Sequence, residues 1–383
     1  MDLNNPLFLP IAFGTFFIAA IGFSSVINGL LLRFSKSLGA RGDQHRHIIR
    51  WSSSLKPSLG GFSFYILFLI SITAYGFLNF FTDDYLNLSL LGVVLAVNVG
   101  FLLGLTDDAF NTIPLLKLFA QLLCGVFLVI TGSIIPATGI YAIDVTFTLV
   151  WVVGIMNSIN LLDNMDGISA TVSLFLIAAV LLVLGIQNSF YTVESLMLLG
   201  VSGALIGFLI HNIHPAKIYM GDTGSQFLGA FISAVSIQVL WQFHEPIGSI
   251  FQLKQFLIPL IAFSVPLIDT TTVIIHRIAR GQSPFVGGKD HITHHFVYAG
   301  LNDKQVMYVL TLWTAVSAIL SASLVYLYDE LTMTTVIGGY TYLFCTFLIT
   351  QYFYEVGKRK EKKQAKSKSM RPTAVTSHQS VTA

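Results

Sequence analysis

The stretch Leu90–Ile130, "LLGVVLAVNVGFLLGLTDDAFNTIPLLKLFAQLLCGVFLVI", consists of two apolar runs separated by one polar break. Each run approaches the roughly 20 residues that an α-helix needs to cross a bilayer. The break carries two adjacent carboxylates, Asp107 and Asp108, and a lysine, Lys117, follows just inside the second run. Outward in both directions the pattern repeats. Runs near 7–32, 59–80, 86–105, 115–135, 143–160, 168–187, 193–212, 223–242, 254–276, 305–328 and 331–353 predict an all-α, polytopic integral membrane protein of about eleven transmembrane helices. Composition agrees, because 54% of the 383 residues are hydrophobic and 10% are charged, against about a quarter charged in a soluble domain. The first run has neither a basic leader nor a small-residue cleavage site, and is read as a helix rather than a signal peptide. Cys124 and Cys345 fall inside apolar runs and read as packing residues.

Charge sets the orientation. Alternating sides through eleven spans gathers 20 of the 21 Lys and Arg on one face, the exception being Lys254. By the positive-inside rule this is the cytoplasmic face, which places the N-terminus outside and the C-terminal tail inside. The expected division is a transmembrane domain over 1–355 and a basic, Ser-rich tail over 356–383 without fixed structure. The string TDD occurs a second time, in "NFFTDDYLNL" at Asp83 and Asp84. That copy is assigned to the outer face as a solvated turn, in company with Asp144, Glu194, Glu245, Asp329 and Glu330.

Three further polar clusters fall on the inner face. "NSINLLDNMDGIS" brings Asn157, Asn160, Asp163, Asn164 and Asp166 to the end of the fifth span. "HNIHPAKIYMGDTGSQFLG" puts His211, His214, Lys217, Tyr219 and Asp222 before the eighth, with Gly221 and Gly224 offering backbone N–H groups at a helix start, a cradle for phosphate oxygens. "HRIARGQSPFVGGKDHITHHF" holds Arg277, Arg280, Lys289, His291, His294 and His295, a donor-rich segment suited to an anion. Each cluster alone reads equally well as helix caps or a solvated loop; what separates them from that reading is their joint presence on one face. Oxygen donors without cysteine suit Mg²⁺, with Mn²⁺ as the alternative, while Zn²⁺ on His291, His294 and His295 is the competing arrangement. No Walker A string occurs, and no nucleic-acid partner is expected.

Taken together, "LTDDAFNTIPLLKL", "NSINLLDNMDGIS", "IYMGDTGSQFLG", "VPLIDTTTVIIHR" and "SPFVGGKDHITHH", in that order, resemble the polyprenyl-phosphate N-acetylhexosamine-1-phosphate transferases of glycosyltransferase family 4. The resemblance runs from about Lys56 to Leu301. It implies an active site at the cytoplasmic face and Mg²⁺-dependent transfer of a HexNAc-1-phosphate from a UDP-sugar to polyprenyl phosphate, with release of UMP, as the first membrane step of envelope glycan synthesis. Its implied partners are UDP-N-acetylhexosamine, polyprenyl phosphate and the bilayer, with a homodimer as one assembly. It implies Asn160 and Asp222 as metal ligands; Asp107, Asp108, Lys117, His291 and His294 as catalytic; and Asn157, Asp163, Asp166, Tyr219, Arg280, Lys289 and His295 as substrate-binding. Within it, Asp107 is expected to orient the lipid phosphate and Asp108 to secure Lys117 or the site.

Two departures from the family pattern stand out. Asn164 replaces a glycine common in "DGxDG" versions, and Thr293 breaks the run of three histidines found in the lipid I enzymes. Both lean toward a simple UDP-HexNAc donor, with UDP-GlcNAc favoured over the phospho-MurNAc-pentapeptide alternative. A secondary transporter is the reading from another class, and it is disfavoured because the acids gather at one interface rather than at the midplane.

Overall fold

The computed structural model describes residues 7–37, 56–78, 87–243, 253–283, 288 and 290–369. Among them the chain is helical throughout, apart from loops and one isolated backbone bridge between Ser58 and Tyr219. The helices are α1 Phe8–Ser37, α2 Gly61–Leu78, α3 Leu88–Phe110, α4 Pro114–Ile130, α5 Tyr141–Leu162, α6 Ile168–Ile186, α7 Val193–Asn212, α8 Gly221–Ser236, α9 Leu253–Ala262, α10 Ser264–Ala279, α11 Ile292–Ala299, α12 Asp303–Tyr326 and α13 Met333–Ser369.

Among the described residues nine helices are single membrane spans by length and apolarity. The bent pair α9 and α10, counted as one span, and the 17-residue α4 complete the expected eleven. The multi-pass membrane architecture read from the sequence therefore stands.

The helix α8 is the centre of the bundle: it extends through a π-helical turn at Ile237–Trp241, and 94% of the apolar window in this span is buried. The outermost helices α1 and α13 bury only 17% and 11% of theirs, so their apolar side chains are left for lipid. α8 packs chiefly against α3, α5 and α2, with smaller contacts to α6 and α4. Approach of α3 requires Gly104, where a Cβ would fall 2.2 Å from the Asp222 carbonyl oxygen and 2.5 Å from the Thr223 Cα. This one contact brings the end of α3 against the start of α8.

Three expectations are corrected. The ninth span is not straight: α9 and α10 meet at 86° around Phe263. Pro259 and Pro266 flank the corner, and each removes a backbone donor and crowds the preceding turn. The tail does not lose structure at 356, because α13 continues to Ser369. Asp144 is not a solvated surface acid. It is 6% exposed and accepts from the Thr138 backbone N–H, the Thr138 hydroxyl and the Gly139 N–H at 2.7, 2.9 and 3.1 Å, stapling the loop before α5. Asp83 and Asp84 lie outside the described residues.

Candidate active site

Asp107 and Asp108 sit in the last turn of α3 and face different tasks. Buried Asp107 pairs with Lys117 from the first turn of α4, and its Oδ1 accepts from the Thr112 backbone N–H and hydroxyl at 2.9 and 2.8 Å. The turn between α3 and α4 is thus folded around this one carboxylate. Asp108 accepts from the backbone N–H groups of Asp222 and Thr223 at 3.1 and 2.9 Å and from the Thr223 hydroxyl at 2.6 Å. It caps α8 from outside that helix, where Met220 offers no side-chain cap. Gly221 makes room for this: its φ is +74°, and a Cβ there would meet Asp108 Oδ2 at 2.6 Å. Of the two expectations for Asp108, to secure Lys117 or the site, these bonds agree with the second: Asp107 pairs with the lysine and Asp108 holds the start of α8.

At the end of α5, the Asn160 amide donates to Asp222 Oδ1 at 2.7 Å and to the Ser225 hydroxyl at 2.8 Å. The Asp222 carboxylate also lies within hydrogen-bonding reach of Asp107. Asp107, Asp108, Lys117, Asn160 and Asp222 are therefore one constellation, drawn from the ends of four helices. Asn157 lies one turn deeper, exchanging amide hydrogen bonds with Gln121, which in turn donates to Gln226 at 3.2 Å. That amide ladder fixes α4, α5 and α8 beneath the constellation, and the sequence reading missed Gln121 and Gln226 in it. Asp163 is the C-cap residue of α5, at the mouth.

A second polar group gathers around Asp166. Its Oδ2 accepts from the Ala216 N–H at 2.9 Å and lies 3.0 Å from His214 Nδ1 and 3.8 Å from Lys56 Nζ. Lys56 also stands 5.0 Å from the centroid of the Tyr219 ring. Lys56 went unnoticed as a site residue because its loop is remote in sequence; it reaches Tyr219 through the backbone pairing of Pro57, Gly60 and Gly61 with residues 219 and 220.

The histidine loop contains the short helix α11. The Asp269 carboxylate, from α10 and fully buried, lies 3.0 Å from His291 Nδ1 and accepts the Ile292 backbone N–H at 2.9 Å. A carboxylate at Nδ1 fixes the tautomer and leaves Nε2 as the acceptor. This gives Asp269 the orienting role that the sequence could assign only generally. Thr270, next to it, donates to Ser158 at 2.8 Å and ties α10 to α5 beside Asn157. His294 is buried, its ring 5.6 Å from that of His291.

Two residues expected to bind substrate are otherwise engaged. Arg280 donates to Asp290 at 2.6 Å, and Arg277 grips the same carboxylate with bonds of 3.0 and 2.7 Å. Burial alone would raise the Asp290 pKa, yet the two guanidiniums hold it at about 2. His295 is packed 3.8 Å from the Tyr354 ring of α13, and burial pushes its pKa down to about 4. It is a neutral packing histidine here. Lys289 lies outside the described residues.

The donor set fits a hard divalent cation. Asp107 and Asp222 adjoin, with Asp108 close behind, and Lys117 pairs with the first of these three carboxylates. Among the described residues no three His, Cys, Asp or Glu side chains converge as a metal cage. One carboxylate with one amide is the sparse protein contribution that Mg²⁺ accepts when substrate oxygens and water complete its shell.

Sequence comparison meets the geometry at this point. The model of glycosyl transferase family 4 matches residues 90–240, the segment that contributes Asp107 through Asp222. A probable undecaprenyl-phosphate N-acetylglucosaminyl 1-phosphate transferase of Bacillus subtilis is 29% identical over 310 residues, covering 78% of this chain and 82% of that protein. A decaprenyl-phosphate N-acetylglucosaminephosphotransferase of Mycobacterium leprae is 28% identical over 74% of this chain and 77% of its own length. A phospho-N-acetylmuramoyl-pentapeptide-transferase of Halalkalibacterium halodurans is 30% identical over 309 residues, 74% of this chain and 86% of that protein. With the motifs in order and their residues assembled at one end of the bundle, the chain belongs to glycosyl transferase family 4, the polyprenyl-phosphate N-acetylhexosamine-1-phosphate transferases.

Proposed function

We propose that the protein transfers GlcNAc-1-phosphate from UDP-GlcNAc to a polyprenyl phosphate such as undecaprenyl phosphate, at the cytoplasmic face of the plasma membrane. UMP is released, and the lipid diphosphate sugar starts an envelope glycan. The observation that carries this reading is the junction of Asp107–Lys117 with Asn160–Asp222 where four helices end together. A lipid phosphate at the interface and a nucleotide sugar from the cytoplasm meet only at such a level.

Asn160 and Asp222 would hold Mg²⁺, which when bound supplies charge neutralisation to the diphosphate. Phosphoryl transfer asks mainly for positioning and electrostatic stabilisation. Lys117, fixed by Asp107, would face the phosphates with a positive charge, and Asp269 orients the His291 ring through Nδ1. A phosphate monoester has a second pKa of about 6, so the lipid nucleophile is ionised at neutral pH without a base. Its oxygen attacks the phosphorus attached to the sugar, a new P–O bond forms, and the P–O bond to UMP breaks. Direct attack is favoured over a covalent aspartyl intermediate because Asp108 is committed to the α8 backbone and Asp107 to Lys117 and Thr112. On the nucleotide side, Asp163 and Asp166 would meet the ribose and uracil, and Tyr219 would stack on the base.

The donor is the open choice, and a panel decides it. Purified protein with polyprenyl phosphate and Mg²⁺ is offered UDP-GlcNAc, UDP-GalNAc and UDP-MurNAc-pentapeptide. Fastest turnover of UDP-GlcNAc is expected; preference for the pentapeptide donor would move the protein to lipid I synthesis.

A further inference from the structure

The two positions at which the chain departs from its family pattern, Asn164 and Thr293, touch each other. The Thr293 hydroxyl, fully buried, donates to Asn164 Oδ1 at 2.8 Å. From its other end the Asn164 amide donates to the Leu161 carbonyl at 2.7 Å, satisfying an acceptor in the last turn of α5. A glycine at 164 provides neither bond, and a histidine at 293 has no hydroxyl to give.

Their location gives the contact a purpose. Asn164 stands between Asp163 and Asp166 in the turn after α5, and Thr293 stands between His291 and His294 in the first turn of α11. With eight residues, α11 is too short to hold its place by its own hydrogen bonds. Asp269 pins its start from the α10 side, through His291 Nδ1 and the Ile292 N–H. At its far end the Lys360 ammonium donates to the Ala299 carbonyl at 2.5 Å. Asn164 supplies a side-chain tie from the α5 side, joining the carboxylate turn to the histidine helix.

We propose that Asn164 and Thr293 are a positioning pair that sets the distance between the Asp163–Asp166 turn and the first turn of α11, and so places His291 and His294 for transfer. The inference rests on the transferase reading above. Neither residue touches a reacting atom; both act through the histidines. Loosening the tie therefore lowers kcat while leaving the KM for the nucleotide sugar nearly unchanged, and breaking either end has the same effect as breaking both.

The experiment compares Thr293→Val, which keeps the shape and removes the hydroxyl, with Thr293→Ser, Asn164→Ala and the Asn164→Ala/Thr293→Val double variant. All are full-length proteins in detergent, assayed with polyprenyl phosphate, Mg²⁺ and the UDP-HexNAc that wild type turns over fastest. Hydrogen exchange across residues 290–299 is followed in parallel. Expected are a roughly tenfold fall in kcat for T293V and N164A, a misplacement effect, and a double variant no worse than about twofold below the weaker single. T293S should stay near wild type, and α11 amides should exchange faster in T293V and N164A. A wild-type kcat in T293V, or a double variant showing the product of the single losses, overturns the proposal. If wild type transfers nothing while T293V still speeds exchange in α11, the tie stands and the transferase reading falls. Unchanged exchange removes the tie itself.

Discussion

Asp108 Oδ2 accepts the Thr223 backbone N–H at 2.9 Å, so the second acid of a TDD string caps a helix that starts more than a hundred residues further on. The bond joins the two halves of the candidate site, because Asp222 lies one position earlier in the first turn of α8. Exchanging Asp108 for Ala should cost roughly 1–2 kcal/mol, the value of a strong helix cap, and should lower the unfolding midpoint in detergent together with activity. Asp107→Asn should abolish activity and also lower the midpoint, because Lys117 and Thr112 lose their buried carboxylate partner. A wild-type midpoint in Asp108→Ala would contradict the capping role.

Lys117 is held by Asp107 beside a second carboxylate, Asp222. Lys117→Met should reduce kcat by roughly a hundredfold or more, as expected when a preorganised charge is removed from a phosphoryl-transfer site. Lys117→Arg should rescue poorly, since a planar fork does not replace a compact ammonium in a pocket built around it. Single-turnover rates of UMP release measure both.

Asp269 fixes His291 through Nδ1. Asp269→Asn preserves size but offers the ring an ambiguous partner, and should lower kcat by roughly tenfold to a hundredfold, in line with other orienting partners of histidine. An unaltered kcat would separate His291 from the chemistry.

Acid stability follows from two groups outside the spans. His295 has its pKa pushed down to about 4 by burial; Asp290 opposes the shift, and His276, Lys358 and Arg280 add to it. An unfolded histidine titrates near 6.5, so the unfolded state binds the proton more readily and stability falls as pH drops from about 6.5 to about 4. Asp290 lies on the other side of the ledger. With its pKa held at about 2, its contribution is complete above about pH 4 and lost only as pH falls through about 2. Unfolding midpoints between about pH 7 and 4.5 should therefore fall for wild type and flatten in His295→Phe; parallel curves would contradict the assignment.

The two copies of TDD test topology. Asn at Asp83 and Asp84 should leave turnover near wild type, whereas Asn at Asp107 should cripple it. The reverse result would invert the proposed membrane orientation along with the site.

Much of this was legible in the sequence because membrane-spanning helices announce themselves by apolar length, and their polar ends by contrast. Asp107, Asn160 and Asp222 stand out as acids and amides abutting apolar runs, and the fold brings them together as expected. The corner at Phe263 was less visible: the run 254–276 reads as one span unless Pro259 and Pro266 are weighed as a pair. The helix α11 is too short to leave a periodic signal inside a polar loop. What no pattern could reveal is allocation among neighbours. Asp107 and Asp108 differ by one position, a rotation of about 100° on a helix, and only the packing of α3 at Gly104 decides which faces Lys117 and which faces α8. The same holds for His294 and His295, of which the second turns into the packing against Tyr354.

The central claim concerns which bond breaks, and the nucleotide product reports it. Purified protein is supplied with UDP-GlcNAc labelled in the sugar, polyprenyl phosphate and Mg²⁺, and the nucleotide and lipid fractions are resolved. The account predicts UMP and a labelled lipid diphosphate sugar in equal amounts, both abolished by chelation and by Asp222→Asn. Release of UDP instead, or labelled lipid formed without UMP, would contradict it.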